Sequence, residues 1–192
     1  MQVFAYGSLM WRPGFTPKAA ARAKAIGWHR KWCVRSIVHR GSPSAPGVVL
    51  GLAEGGICEG ILYTVDPAEE LQVASYLDQR EMAEPGYLPK IIDVSTADGL
   101  TKAITYVSDS QKRYCDNPAN TVGRILTAKG LSGSNIDYAT QTFAAVERLG
   151  AAICEQEIGL PLQLLSTIQR SAAITGADNA DIEWRTRAAQ LA

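Results

Sequence analysis

The chain has 192 residues, 46% of them hydrophobic and 20% charged, with 19 basic and 19 acidic side chains and two histidines. That length suffices for one domain with a proper core, and zero net charge argues against nucleic acid or an anionic membrane surface as a partner. No run of about 18 apolar residues occurs, so no membrane-spanning helix is expected.

Residues 1–10 lack the basic start and apolar stretch of a secretory leader. Cys33, Cys58, Cys115 and Cys154 are scattered, with no C-x-x-C pair among them. Zinc is therefore not expected, and the cysteines read as reduced core thiols of a cytoplasmic protein.

In chain order, Val3 to Tyr6 is a short apolar strand that runs straight into "YGSLMWRPGF". A sharp turn after a strand exposes successive backbone N–H groups, a concavity suited to a carboxylate or phosphate. Gly7 lets the chain approach a ligand closely. Ser8 adds a hydroxyl, and Tyr6 a flat face and a phenol. The alternative is a plain tight turn packed by Trp11 and Phe15.

Trp28 to Val38 reads as a strand, and "GSPSAPG", residues 41–47, as a loop dense in turn formers. Arg35, His39 and Arg40 precede it. They either bind an acidic substrate or form the wet face of an edge strand. No G-x-S-x-G elbow accompanies His39, which argues against a hydrolytic triad. His29 has no visible partner and reads as a surface or satisfied histidine. Val48 to Ala53 and Ile57 to Val65 read as two strands separated by a turn at Glu54 to Gly56.

Asp66 then caps a helix, with Pro67 in its first turn and Glu69 completing a capping box. Leu71, Ala74 and Leu77 form its expected apolar stripe. This helix ends near Arg80 and Glu81, before Pro85 and Gly86 force a turn. A carboxylate at a helix C-terminus faces an unfavourable dipole, and misplaced charge of this kind often marks a working acid or base. The other reading is a solvated Glu beside an Arg. Tyr87 to Val94 and Lys102 to Val107 return to strand character. The period is helical from Asn120, with helices expected at Ile136 to Leu149, started by Ser134 or Asn135, and at Leu160 to Ile168. Strands first and helices last argue for an α+β fold with a mainly antiparallel sheet or small barrel.

Taken together, "FAYGSLMWRPGF", "SIVHRGSPSAPGVVLGL", "CEGILYTV", "YLDQREMAEPGYLP" and "GSNIDYATQTFAAVERLG" resemble the ChaC-type gamma-glutamylcyclotransferases. The resemblance implies a small mixed, mainly antiparallel β-barrel with flanking helices. A domain is expected over 1–170, and the more polar residues 171–192 read as a peripheral helix or tail. The resemblance implies cleavage of glutathione by internal cyclisation to 5-oxoproline and cysteinylglycine, with Glu81 as general acid/base. The gamma-glutamyl group would be held by Tyr6, Gly7, Ser8, Leu9, Met10 and Trp11. Where the family often reads Ser-Thr-Asp-His-Arg-Gly, this chain has Ser-Ile-Val-His-Arg-Gly at 36–41, and the segment 109–118 matches poorly.

The implied chemistry suits the residue inventory. The substrate's own α-amine attacks its γ-carbonyl, so no enzyme nucleophile, metal or organic cofactor is required. Intramolecular placement is worth about 7–11 kcal/mol in favourable cases. The expected partner is a small molecule, and the expected state a monomer or weak homodimer. Three other readings remain at this point: a cyclotransferase for other gamma-glutamyl amines, a non-catalytic gamma-glutamyl-binding domain, and a hydrolase using Ser8 or Cys33.

Overall fold

The computed structural model describes residues 1–83, 85–109 and 118–150. Five strands close a barrel in the order β1-β3-β2-β4-β5: β1 (Gln2–Ala5), β2 (Ala19–Ser36), β3 (Gly47–Thr64), β4 (Tyr87–Thr96) and β5 (Gly99–Ser108). Every pairing is antiparallel except the β1–β5 closure, where Val3 lies beside Ile104 in parallel. Helix α1 (Glu70–Glu81) joins β3 to β4. Helices α2 (Pro118–Thr127) and α3 (Asn135–Arg148) follow, with the short pair β6 (Lys129–Gly130) and β7 (Gly133–Ser134) between them. The α+β barrel with flanking helices therefore stands. Its core is filled by Phe4, Leu50, Leu52, Leu77 and Phe143, all essentially inaccessible.

The β2–β3 hairpin departs from the sequence expectation twice. The stretch Ala19 to Gly27, rich in Ala, is strand, although Ala is depleted in strands. Its partner imposes the conformation: Ala19 to Ile26 pair in register with Thr64 to Ile57. Glu54 to Gly56 is not a turn between two strands but a bulge within one. The register passes from Ile26–Ile57 to Trp28–Glu54, so Gly27 faces both Gly55 and Gly56. All three glycines have positive φ, 82°, 100° and 74°, and a bulge of this kind bends a long hairpin around a barrel.

Asp66 caps its helical segment as expected, accepting the Ala68 N–H at 3.0 Å. A short 3-10 turn (Pro67–Glu69) leads into α1. The buried face of α1 is Val73 and Leu77, while Leu71 is 89% exposed. The inward stripe begins two residues later than expected and leaves Leu71 facing water. Ser134 starts α3, its Oγ accepting the Asp137 N–H at 3.2 Å. Asn135 turns inward instead. Its amide exchanges two hydrogen bonds with the main chain of Val48, at 2.7 and 2.9 Å, and so seats α3 on β3.

Cys33 and Cys58 are buried, as core thiols should be. Cys115, Cys154, the expected helix at 160–168 and the tail at 171–192 lie outside the described residues. Among the described residues no helix is long and apolar enough to cross a membrane.

Candidate active site

Beyond Ala5, β1 breaks into a single 3-10 turn, Ser8–Met10, opened by Gly7. The turn's first bond runs from Met10 N–H to Gly7 C=O at 2.9 Å. The N–H groups of Gly7, Ser8 and Leu9 precede it and stay outside the turn's own ladder. Side chains from three other elements hold the turn. Arg30 of β2, only 3% exposed, donates Nε–H to Tyr6 C=O at 2.7 Å and an Nη2–H to Glu59 C=O, tying the end of β1 to β3. Tyr63 O–H lies 3.2 Å from Leu9 C=O and 3.3 Å from Met10 C=O.

Arg80 of α1 makes the third tie. Its Nη2–H donates to Ser8 Oγ at 3.0 Å, and Nη1 reaches Arg12 C=O at 2.6 Å and Tyr76 Oη at 3.0 Å. Gly14 makes this approach possible: its φ is 78°, and a Cβ there would run into the Tyr76 hydroxyl.

Glu81 is the last residue of α1, and its side chain is 15% exposed. Arg80 Nε lies 3.1 Å from Glu81 Oε1, yet its N–H is not aimed along that line. Oε1 is therefore buried with no hydrogen-bond donor among the described residues. Burial pushes the Glu81 carboxyl up from its ordinary value, and the Arg80 charge opposes that rise only in part. A carboxylate whose charge is only partly compensated in this way is suited to accept a proton.

Glu81 and the turn share one cleft open to solvent, lined by Tyr6, Gly7, Ser8, Leu9 and Glu81 together with Leu50, Tyr87, Thr105, Tyr106 and Tyr138. Elements far apart in sequence thus bring together five of the seven residues singled out from it. The other two stand behind the wall. Met10 is 1% exposed, with its sulfur 3.6 Å from Arg30 Nη2; Trp11 is buried edge-on against Tyr138, ring centroids 5.6 Å apart.

Arg35, His39 and Arg40 also lie off the cleft. Arg35 is exposed, reaching Pro43 C=O at 3.4 Å. His39 Nδ1 pairs with Ser132 Oγ at 2.9 Å. Arg40 donates to Ser134 C=O at 3.1 Å and sits over the Tyr138 ring, 5.6 Å from its centroid. His29 Nδ1 is 3.0 Å from Gly55 C=O, so its partner is the bulge.

Sequence reasoning missed the far wall: Leu50, Thr105 and three tyrosines. Tyr87 O–H donates to Leu50 C=O, and Tyr138 Oη accepts the Leu50 N–H at 3.3 Å. Tyr106 O–H donates to Asp78 Oδ1 at 2.6 Å, one helical turn before Glu81. Their only sequence signal is the placing of Tyr87 and Tyr138 within the two stretches "YLDQREMAEPGYLP" and "GSNIDYATQTFAAVERLG".

A family model described as ChaC-like protein matches residues 1–169. The chain belongs to the ChaC-like family. Among its relatives is the glutathione-specific gamma-glutamylcyclotransferase of Escherichia coli K12, 35% identical over 141 residues, which are 71% of this chain and 61% of the relative. The glutathione-specific gamma-glutamylcyclotransferase 1 of Danio rerio is 31% identical over 144 residues, 71% of this chain and 74% of the relative. The match thus spans about three-fifths of the Escherichia coli protein's length. Among solved structures, a yeast gamma-glutamyl cyclotransferase specific to glutathione superposes with a TM-score of 0.73 at 19% identity, covering 90% of this chain and 95% of that one. That likeness establishes the ChaC-like barrel as a shared fold.

Proposed function

We propose that this ChaC-like protein is a gamma-glutamylcyclotransferase that cleaves glutathione to 5-oxoproline and cysteinylglycine. The observation that carries the reading is the buried Glu81 oxygen, without a hydrogen-bond donor among the described residues, in the same cleft as Gly7, Ser8 and Leu9. The names of the relatives support glutathione as substrate.

In this reading the cleft holds the gamma-glutamyl group curled, so that the neutral α-amine lies against the γ-carbonyl carbon. The amine nitrogen attacks and loses one proton to Glu81. The bond from that carbon to the cysteinyl nitrogen breaks, and the same carboxyl returns the proton to the departing nitrogen. One C–N bond forms, one breaks, and no proton is gained or lost overall. Acid–base help of this kind contributes about 10²- to 10⁴-fold. The N–H groups of the turn are suited to an anionic substrate group, and loss of a single oxyanion donor costs about 3–4 kcal/mol in comparable sites. Tethering of nucleophile to electrophile makes a Ser or Cys nucleophile unnecessary. The protein acts in the cytoplasm in this reading, as a monomer or weak homodimer, on a small molecule.

The test is incubation with glutathione and with a panel of other gamma-glutamyl dipeptides. Equimolar 5-oxoproline and cysteinylglycine, with kcat/KM highest for glutathione, is the expected result. A higher kcat/KM for another gamma-glutamyl amine would move the substrate class. Binding with no product over hours would overturn the catalytic reading.

A further inference from the structure

Four tyrosine hydroxyls border the cleft, and three of their protons are already committed. Tyr6 O–H donates to Tyr106 C=O at 2.7 Å, Tyr87 O–H to Leu50 C=O, and Tyr106 O–H to Asp78 Oδ1. Tyr138 differs. Its oxygen is an acceptor, for the Leu50 N–H at 3.3 Å, so its own proton does not go to that partner. The Thr142 side chain also bonds the phenol, lowering its pKa as a donor to the oxygen does, and reaches Tyr138 C=O at 2.8 Å.

The Tyr138 hydroxyl also lies at the right place. It is 3.4 Å from the point where a Cβ on Gly7 would stand, so it faces the turn across the cleft. It is rigidly held. Trp11 and Trp32 pack edge-on against the ring, with centroids 5.6 and 5.8 Å away. Arg40 covers it at 5.6 Å, and three residues earlier Asn135 locks the start of α3 to Val48. A donor fixed in advance and shielded from water is the arrangement that stabilises charge appearing during a reaction.

We infer that Tyr138 is a catalytic residue whose O–H donates to the γ-carbonyl oxygen of the bound gamma-glutamyl group as that oxygen becomes an oxyanion. The inference rests on the cyclotransferase reading above. The Leu50 N–H and the Arg40 cation draw electron density from the phenol and strengthen it as a donor. Burial lifts its pKa to about 12, so the proton is present throughout the neutral range. A neutral donor suits a group that is neutral in the substrate and charged only in transit, and its effect falls on kcat rather than on KM.

The test is Tyr138→Phe, assayed on glutathione for 5-oxoproline with kcat and KM resolved, beside the unaltered protein. A fall in kcat of about 10²- to 10³-fold with KM within threefold is expected. A kcat within threefold of the unaltered protein, or a rise in KM alone, overturns the inference. Should the Phe variant fail to fold, a fluorinated tyrosine at 138 keeps the acceptor for Leu50 and makes the phenol more acidic. Its high-pH loss of kcat then moves to lower pH, and an unmoved limb overturns the role. If the unaltered protein itself forms no 5-oxoproline, the cyclotransferase reading is what has failed.

Discussion

The two ends of α1 treat charge in opposite ways. At the N-terminus two acidic groups are well placed: Asp66 caps the segment, with Lys18 Nζ 3.7 Å from its carboxylate, and Glu70 pairs with the Met1 ammonium. Anions there agree with the helix dipole and remain partly in water. At the C-terminus Glu81 opposes the dipole, is buried, and keeps one oxygen without a hydrogen-bond donor among the described residues. One end is built for stability, and the other tolerates a cost. Asp78, a turn earlier, shows that the cost is particular to Glu81, since its Oδ1 receives the Tyr106 hydroxyl at 2.6 Å.

The sharpest way to break the contrast is Glu81→Gln, which keeps the shape and removes the charge. Release of 5-oxoproline is expected to fall by about 10²-fold or more, with the thermal midpoint at neutral pH unchanged or higher. The sign follows from linkage. A carboxyl raised above its unfolded value favours the fold below that value and opposes it as pH rises through the folded pKa. An equal turnover rate in the folded variant would remove Glu81 from the chemistry.

Arg80→Ala is next. It deletes the ties to Ser8, Tyr76 and Arg12 along with the nearby cation. A loss of about 1–3 kcal/mol in stability, read by urea unfolding, is expected for charge-assisted bonds of this number. The acid limb of kcat/KM in the unaltered protein is expected above the ordinary carboxylate range, because burial raises Glu81. Without Arg80 it moves higher still, since the opposing charge is gone. A limb that stays in place would separate Arg80 from the base.

The mildest change is at the other end. Asp66→Ala removes a cap worth about 0.5–2 kcal/mol and is expected to leave kcat and KM untouched in a folded sample.

The sequence is informative where the determinants are local. The turn after β1 and the end of α1 at Glu81 are found where local signals put them, because caps, prolines and turn residues act on their own neighbours. Local rules fail where a partner decides. Ala19 to Gly27 is strand because β3 pairs with it, and Glu54 to Gly56 bends rather than turns because Gly27 faces it across the hairpin. The far wall of the cleft, with Leu50, Tyr106 and Tyr138, is assembled by barrel closure and by the seating of α3, which no spacing rule encodes. Leu71 shows the same limit on one helix: its period fits the stripe, yet packing selects Val73 and Leu77.

Val48, Leu50 and Leu52 alternate along the stretch of β3 that extends beyond its last pairing with β1, at Ile61. Asn135 takes both main-chain groups of Val48, Tyr138 and Tyr87 take those of Leu50, and Ser108 Oγ donates to Leu52 C=O at 3.0 Å. A bare ledge of this sort is a template on which a foreign strand can grow. Tyr87 and Tyr138, which line the mouth, thus join Asn135 and Ser108 in plugging this rim of β3. Stripping several of them at once would turn a dead enzyme into a sticky one, so clumping during purification becomes a second report on the integrity of the mouth.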